Sequence, residues 1–316
     1  MRSCILSAYS CHTGPGSGGI DAHGILDSRN LPDPEFNALW DAIIVDPSIK
    51  DRLLAQAVLN FTLRTNPKIK RAYIPLHGVI LLVGPPGTGK TSLAQALASR
   101  TAEVVSECLY LEVEPHALTC GTLGKSQKAV TELLGGTIAE QAAIRPTIVL
   151  LDEVETLAAD RSKLSLEANP VDVHRATDAV LTQIDHLAAQ YPNLLFIATS
   201  NFSQAIDQAF FSRADLVMSL ELPGPDARRT ILTESLHALA EAFPEVKVLA
   251  TTADVERVAK ACDGLDGRRI RKIVASACTF NKETALNPAW LTVMDLLRAA
   301  EHAQQEARDA AKGGVQ

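Results

Sequence analysis

Gly84-Pro85-Pro86-Gly87-Thr88-Gly89-Lys90-Thr91 fits the pattern G-x-x-x-x-G-K-S/T, the phosphate-binding P-loop. Upstream, Val79-Ile80-Leu81-Leu82-Val83 is a short aliphatic run that reads as a buried strand. Downstream, Ser92 to Arg100 is rich in Ala and Leu, with Leu93 and Leu97 one helical turn apart. A strand, a glycine turn and a helix N-terminus make an anion site. Backbone N–H groups point into the turn, and the helix dipole adds positive potential. The glycines let the loop curl without a Cβ in the way. Lys90 supplies a point charge for the β- and γ-phosphates, and Thr91 a hydroxyl for Mg²⁺. The run from Gly84 to Ser92, including Pro85, Pro86, Gly87, Thr88 and Gly89, is therefore the expected ATP contact.

A second anchor lies downstream. Thr147-Ile148-Val149-Leu150-Leu151 is an apolar strand running into Asp152-Glu153. Parallel sheets bind ligands beyond the carboxyl ends of their strands. Asp152 is thus expected to reach the Mg²⁺ held by Thr91, and Glu153 to polarise the attacking water. A further apolar strand, Asn193 to Thr199, leads to Ser200-Asn201. It places Asn201 at the same edge, near the γ-phosphate or the water.

The chain has 316 residues, 47% hydrophobic, enough for two domains or one domain with an appendage. Its net charge of −7 shows no basic footprint, which argues against a nucleic-acid partner. Six cysteines are scattered without C-x-x-C spacing and read as reduced thiols. The N-terminus lacks the apolar stretch of a signal peptide, and no apolar run reaches membrane-spanning length, so the cytoplasm is expected.

Residues 1–38 read as a loop-rich arm with one short strand at Cys4–Tyr9. Asp46-Pro47 reads as a helix start, and Ile49, Leu53, Leu54, Ala57, Val58 and Phe61 follow at helical spacing. Just ahead, Trp40 and Ile43-Ile44-Val45 form an apolar patch that either flanks a nucleotide base or packs the helix. Strands are expected at Leu109–Val113 and Leu216–Leu222. A helix is expected from about Ser126 to Gln141, weakened by Gly135-Gly136. Pro223-Gly224-Pro225 marks a break. Beyond it, helices are expected over Ala227–Ala242, Val255–Ala261, Arg268–Phe280 and Ala289–Ala310. Asp266-Gly267 looks like a helix entry, which puts Arg268 in a first turn facing the cleft.

The P-loop, the strand ending in Asp152-Glu153, Asn201, the Arg213 segment and the Gly267-Arg268 helix occur in an order that resembles an AAA+ ATPase. That resemblance implies an α/β domain with a five-stranded parallel sheet flanked by helices (39–222), followed by a small helical lid (223–316). GPPGTGKTSL, LLDEVETL, AVLTQID (Ala179–Asp185), ATSN, FSRAD and GLDGRRIRK narrow it to the pachytene-checkpoint, thyroid-receptor-interactor family. Members of that family are hexameric ATPases that remodel HORMA-domain proteins. The resemblance implies Arg213 as an arginine finger acting on the neighbouring subunit's ATP, and Arg268 as the lid's nucleotide sensor. It implies the Gly121–Gly124 turn, with Thr122 and Leu123, as the first substrate-gripping pore loop, and the loop between Asp160 and Asn169 as the second. The family's pore loop carries aromatics, so Thr122 and Leu123 imply a weaker grip. With about 38 residues ahead of Trp40, the chain resembles the bacterial members, which are associated with HORMA-regulated second-messenger defence against phage. Two other readings stay open: an AAA+ clamp or assembly module acting on nucleic acid, and a nucleotide switch that holds a folded partner.

Overall fold

The computed structural model describes residue 20 and residues 22–114, 125–156, 170–201 and 208–313. Strand β1 (Ile25–Leu31) leads into helices α1 (Pro34–Ala42) and α2 (Pro47–Arg64). Asp33 and Asp46 cap these helices, accepting from the backbone N–H of Phe36 and Ser48, and a proline follows each. β2 (Val79–Val83) and α3 (Lys90–Val104) flank the P-loop. β3 (Cys108–Val113) follows, then α4 (Lys125–Glu132), a π-helical segment (Leu133–Ile138) and α5 (Ala139–Ile144). Gly135 and Gly136 sit inside the π segment, so the glycines that weaken the expected helix widen its turn instead of ending it. β4 (Thr147–Leu151), α6 (Pro170–Gln190), β5 (Leu194–Ser200), α7 (Gln208–Phe211) and β6 (Leu216–Ser219) complete the sheet unit. The remainder is helical: α8 (Pro225–Ala242), α9 (Thr252–Ala261), α10 (Gly267–Ala277), α11 (Lys282–Leu286) and α12 (Val293–Gly313).

The strands lie in the order β1-β3-β4-β5-β2-β6. Five pair in parallel, as expected, but β1 adds antiparallel to the β3 edge, so the sheet is six-stranded and mixed. The sequence reading expected loop at this point. β1 is an edge strand with the sequence ILDSRNL, in which only Leu31 is buried, so it lacks an apolar run. Its Arg29 is held instead by Asp27 and Glu35, at 2.7 and 2.6 Å. The strand expected at Cys4–Tyr9 lies outside the described residues.

Side chains alternate across the sheet and build two cores. Leu81, Leu111, Val149 and Phe196 pack under the π segment and α6, against Leu134, Ile138, Ile184 and Leu187. Ile80, Tyr110, Ile148 and Ile197 pack under α1, α2 and α3, against Phe36, Leu53, Phe61 and Leu97. A third core lies among the C-terminal helices, with Leu236, Val258, Ile270, Ile273 and Leu296 at its centre. No helix among the described residues is long and apolar enough to cross a membrane.

The start of β2 is held by a single carboxylate. The Asp215 side chain, 3% exposed, accepts from the backbone N–H groups of His77, Gly78 and Val79 at 2.8, 2.6 and 3.1 Å. Its own N–H donates to Val79 O at 2.8 Å, which sets β6 beside β2. Asp215→Ala would strand three donors next to the core, where each unsatisfied group costs about 1–3 kcal/mol. Asp215→Ala is expected to destabilise the fold by on the order of 3 kcal/mol, with Asp215→Asn intermediate. Denaturant midpoints at unchanged m-value check this; a midpoint within error of wild type would remove Asp215 from the fold's anchors.

Candidate functional site

The site grows from the end of β2. Gly84 turns the chain with φ +151°, at a point where a Cβ would run into the carbonyl of Leu220. Its N–H donates to Ser200 O at 3.2 Å, tying the loop to the end of β5. Gly89, left-handed at φ +89°, starts α3 and has no side chain to cap that helix. The first-turn N–H groups of α3 are thus left for an anion.

Lys90 is buried, and its Nζ donates to the carbonyls of Gly84 and Pro85, both at 2.8 Å. Burial pushes its pKa down, opposed by the charges of Glu155, Asp152 and Glu153. An arriving phosphate would favour the ammonium form.

Behind Lys90, one carboxylate oxygen gathers two hydroxyls. Thr91 Oγ1 donates to Asp152 Oδ1 at 2.9 Å, and Thr199 Oγ1 donates to the same oxygen. Thr199 also accepts from the backbone N–H of Glu153 at 3.1 Å. Glu153 has φ +50°, an uncommon conformation for a residue with a Cβ. Its Oε1 accepts from Asn201 Nδ2 at 3.0 Å. The backbone N–H of Asn201 in turn donates to Glu155 Oε1 at 3.0 Å, while the buried Glu155 Oε2 has no hydrogen-bond partner among the described residues. The structure therefore joins Thr91, Asp152, Glu153 and Asn201 in one hydrogen-bonded line beside Lys90. Thr199 and Glu155 are members of that line which the sequence reading missed. Glu155 could have been flagged as a second acid two residues past Glu153. Thr199 carries no such signal, because a Thr near a strand end is ordinary.

The helical unit docks directly on the P-loop. Asp266, 8% exposed, caps α10 by accepting from Arg269 N at 2.9 Å. The same carboxylate lies against Gly87, where a Cβ would collide with it. The backbone N–H of Arg268 donates to Gly87 O at 3.2 Å, so Arg268 does stand in the first turn of α10. A cleft of about 730 Å³ opens here, lined by Ile43, Ile44 and Val45 on one side and by Gly87, Gly89 and Arg268 on the other. The apolar patch is divided between the cleft and the cores. Ile44 lines the cleft and packs on the third core; Trp40 packs on the second core with Lys50 Nζ 5.5 Å above its ring. Arg271 of α10 donates to the carbonyl of Ala42, at the end of α1.

Arg213 is held elsewhere. Its Nε and Nη2 donate to the two carboxylate oxygens of Asp185 at 2.9 and 2.7 Å, and Nη1 donates to Ala209 O at 2.7 Å. Thr122, Leu123 and the loop between Asp160 and Asn169 lie outside the described residues. Among the described residues no cluster of three or more His, Cys, Asp or Glu could hold a metal. A two-donor site from Thr91 and Asp152 suits Mg²⁺, which takes most of its ligands from phosphate and water.

Residues 80–222 match the family described as ATPase family associated with various cellular activities (AAA). CD-NTase-associated protein 6 of Pseudomonas aeruginosa is 56% identical over 92% of this chain and 96% of its own length. A pachytene checkpoint protein 2 homolog of Xenopus tropicalis is 34% identical over 77% of this chain; the match spans 61% of that relative. Among solved structures, PCH-2 of C. elegans superposes with a TM-score of 0.72 at 26% identity, covering 93% of this chain and 77% of its own. The E. coli MS115-1 HORMA:CdnC:Trip13 complex contains a chain of like fold, with a TM-score of 0.70 at 18% identity, covering 88% and 95%. The P-loop, its acidic partners and the docked helical unit thus sit on a nucleotide-binding AAA fold, and the chain belongs to the AAA ATPases, in the family of CD-NTase-associated protein 6 and pachytene checkpoint protein 2.

Proposed function

We propose that this chain is the subunit of a cytoplasmic homo-hexameric ATPase that remodels a HORMA-domain partner within a second-messenger defence system against phage. The observation that carries the ATPase reading is the continuous line from Thr91 through Asp152, Thr199 and Glu153 to Asn201, set beside a buried Lys90. The setting is supported by the Pseudomonas relative, named for association with a CD-NTase, and by the like-folded chain solved together with HORMA and CdnC components.

The division of labour follows from the chemistry of each group. The N-terminal amides of α3 and the P-loop backbone hold the phosphates, and Lys90 exchanges its two carbonyl partners for phosphate oxygens. Thr91 and Asp152 would hold Mg²⁺, which would offset the negative charge that develops on the phosphates. Glu153 takes the proton of the attacking water. Its left-handed backbone is kept in place by the Thr199 hydroxyl, and Asn201 fixes its carboxylate from the other side. Arg213 reaches the nucleotide of the neighbouring subunit, so turnover needs the ring. Arg268 senses the phosphates from α10, and the contact of α10 with Gly87 converts site occupancy into lid rotation between the units 39–222 and 223–316. Thr122 and Leu123 grip the partner's chain in the central pore.

Glu153→Gln keeps the shape of the side chain but removes its basicity. It should bind ATP with near-wild-type affinity and lose about 10²–10⁴-fold in turnover. In the native host, this variant loaded with ATP should retain a HORMA-fold protein, identified by mass spectrometry after capture. Recovery of nucleic acid or unrelated proteins alone would leave the ATPase but reject the partner.

Thr199→Val is nearly isosteric and leaves both Asp152 and the Glu153 N–H without their shared hydroxyl. Loss of such an outer partner typically costs 10–100-fold. A fall of that size in kcat and a raised Mg²⁺ requirement are expected. Unchanged Mg²⁺ titration curves would show that the hydroxyl does not tune the pair.

A further inference from the structure

Asp266 caps α10, its Oδ1 accepting from Arg269 N at 2.9 Å. The cap does not call for a charge, because Asn, Ser and Asp cap helices about equally well. The dipole of α10 favours an acid at this place only modestly. Yet the charge is kept out of water, with the side chain 10% exposed. Burying a carboxylate costs stability unless it is closely paired. The cation beside it is loosely placed: Arg269 Nη1 stands 3.5 Å from Oδ2, on a side chain 42% exposed. That is longer than a strong charge-assisted bond. Folding alone is thus a poor reason for an acid here.

What the carboxylate faces is the P-loop. Gly87 is left-handed at φ +81°, and a Cβ there would collide with Asp266 Oδ1, the oxygen that makes the cap. The bare backbone of an anion-binding loop therefore lies directly against a buried anion. Three features on this side attract phosphate. Lys90 is buried beneath the loop, the first turn of α3 offers its N–H groups, and Arg268 lines the same cleft as Gly87 and Gly89. Asp266 opposes all three. It is also outside the hydrogen-bonded line from Thr91 to Asn201, so neither a metal nor the attacking water accounts for it.

We propose that Asp266 keeps a negative charge against the P-loop in order to weaken nucleotide binding, so that spent nucleotide leaves readily. The inference rests on the P-loop being the nucleotide site. With phosphate in the loop, two like charges act on each other through buried backbone, where water screens them little. The charge is carried by the residue that opens α10, so the helix docked on the loop is the one that sets how tightly the loop holds its ligand.

The test is equilibrium binding of ADP, and of a non-hydrolysable ATP analogue, to the full chain by titration calorimetry, with ADP dissociation followed by stopped flow. Asp266→Asn and Asp266→Ser keep a capping oxygen and remove the charge. Both are expected to bind ADP about 5–50-fold more tightly than wild type, with slower dissociation. Thermal melting of each variant without nucleotide reports on folding, and either variant carries the test should the other fail to fold. The sign of the change separates the two roles open to Asp266. A residue that serves only as a cap would, on replacement, leave nucleotide binding unchanged or loosen α10 and weaken it. Unchanged or weaker ADP binding by Asp266→Asn and Asp266→Ser therefore overturns the inference, provided that wild type binds ADP and Lys90→Ala does not. Wild type that binds no more nucleotide than Lys90→Ala is a different failure: it rejects the P-loop as the nucleotide site and this inference with it.

Discussion

The oxygen Asp152 Oδ1 accepts from two hydroxyls that come from opposite sides, Thr91 at the start of α3 and Thr199 at the end of β5. This is possible only because β2, β4 and β5 finish at one edge of the sheet. The register sets Val83 beside Ser200 and Leu151 beside Ala198, so β2 and β5 end level while β4 stops two residues short, which leaves Asp152 and Glu153 alongside the last residues of β5. Placing β5 between β4 and β2 then brings the P-loop and the Asp152-Glu153 pair to either side of the β5 terminus. The cores on both faces hold that register, because a one-residue slip would turn Leu81 and Val149 away from the layer they fill.

The same edge carries the contact between the P-loop and the helical unit. Its contact is backbone to backbone, Arg268 N to Gly87 O, with the Asp266 carboxylate wedged where Gly87 has no Cβ. Ile44 packs on the third core while lining the cleft, and Arg271 bonds the last turn of α1. The cleft is thus walled by the segment between α1 and α2 and by the helical unit together.

What the sequence by itself determined were the features written in contiguous residues. The P-loop, the apolar strands and the acids that follow them need only local pattern, since a buried parallel strand must be apolar throughout. The Asp46-Pro47 entry and the Asp266 cap were equally legible, because a capping side chain bonds its own helix. β1 was not, since an edge strand satisfied by Arg29 ion pairs needs no apolar run. Tertiary structure alone decided which distant groups share an atom: Thr199 with Asp152 and Glu153, Glu155 with Asn201, Asp185 with Arg213, and Asp266 with Gly87. Each of these pairings depends on strand order and register, which arise from packing whole faces against one another and leave no mark in the local spacing of the residues they join.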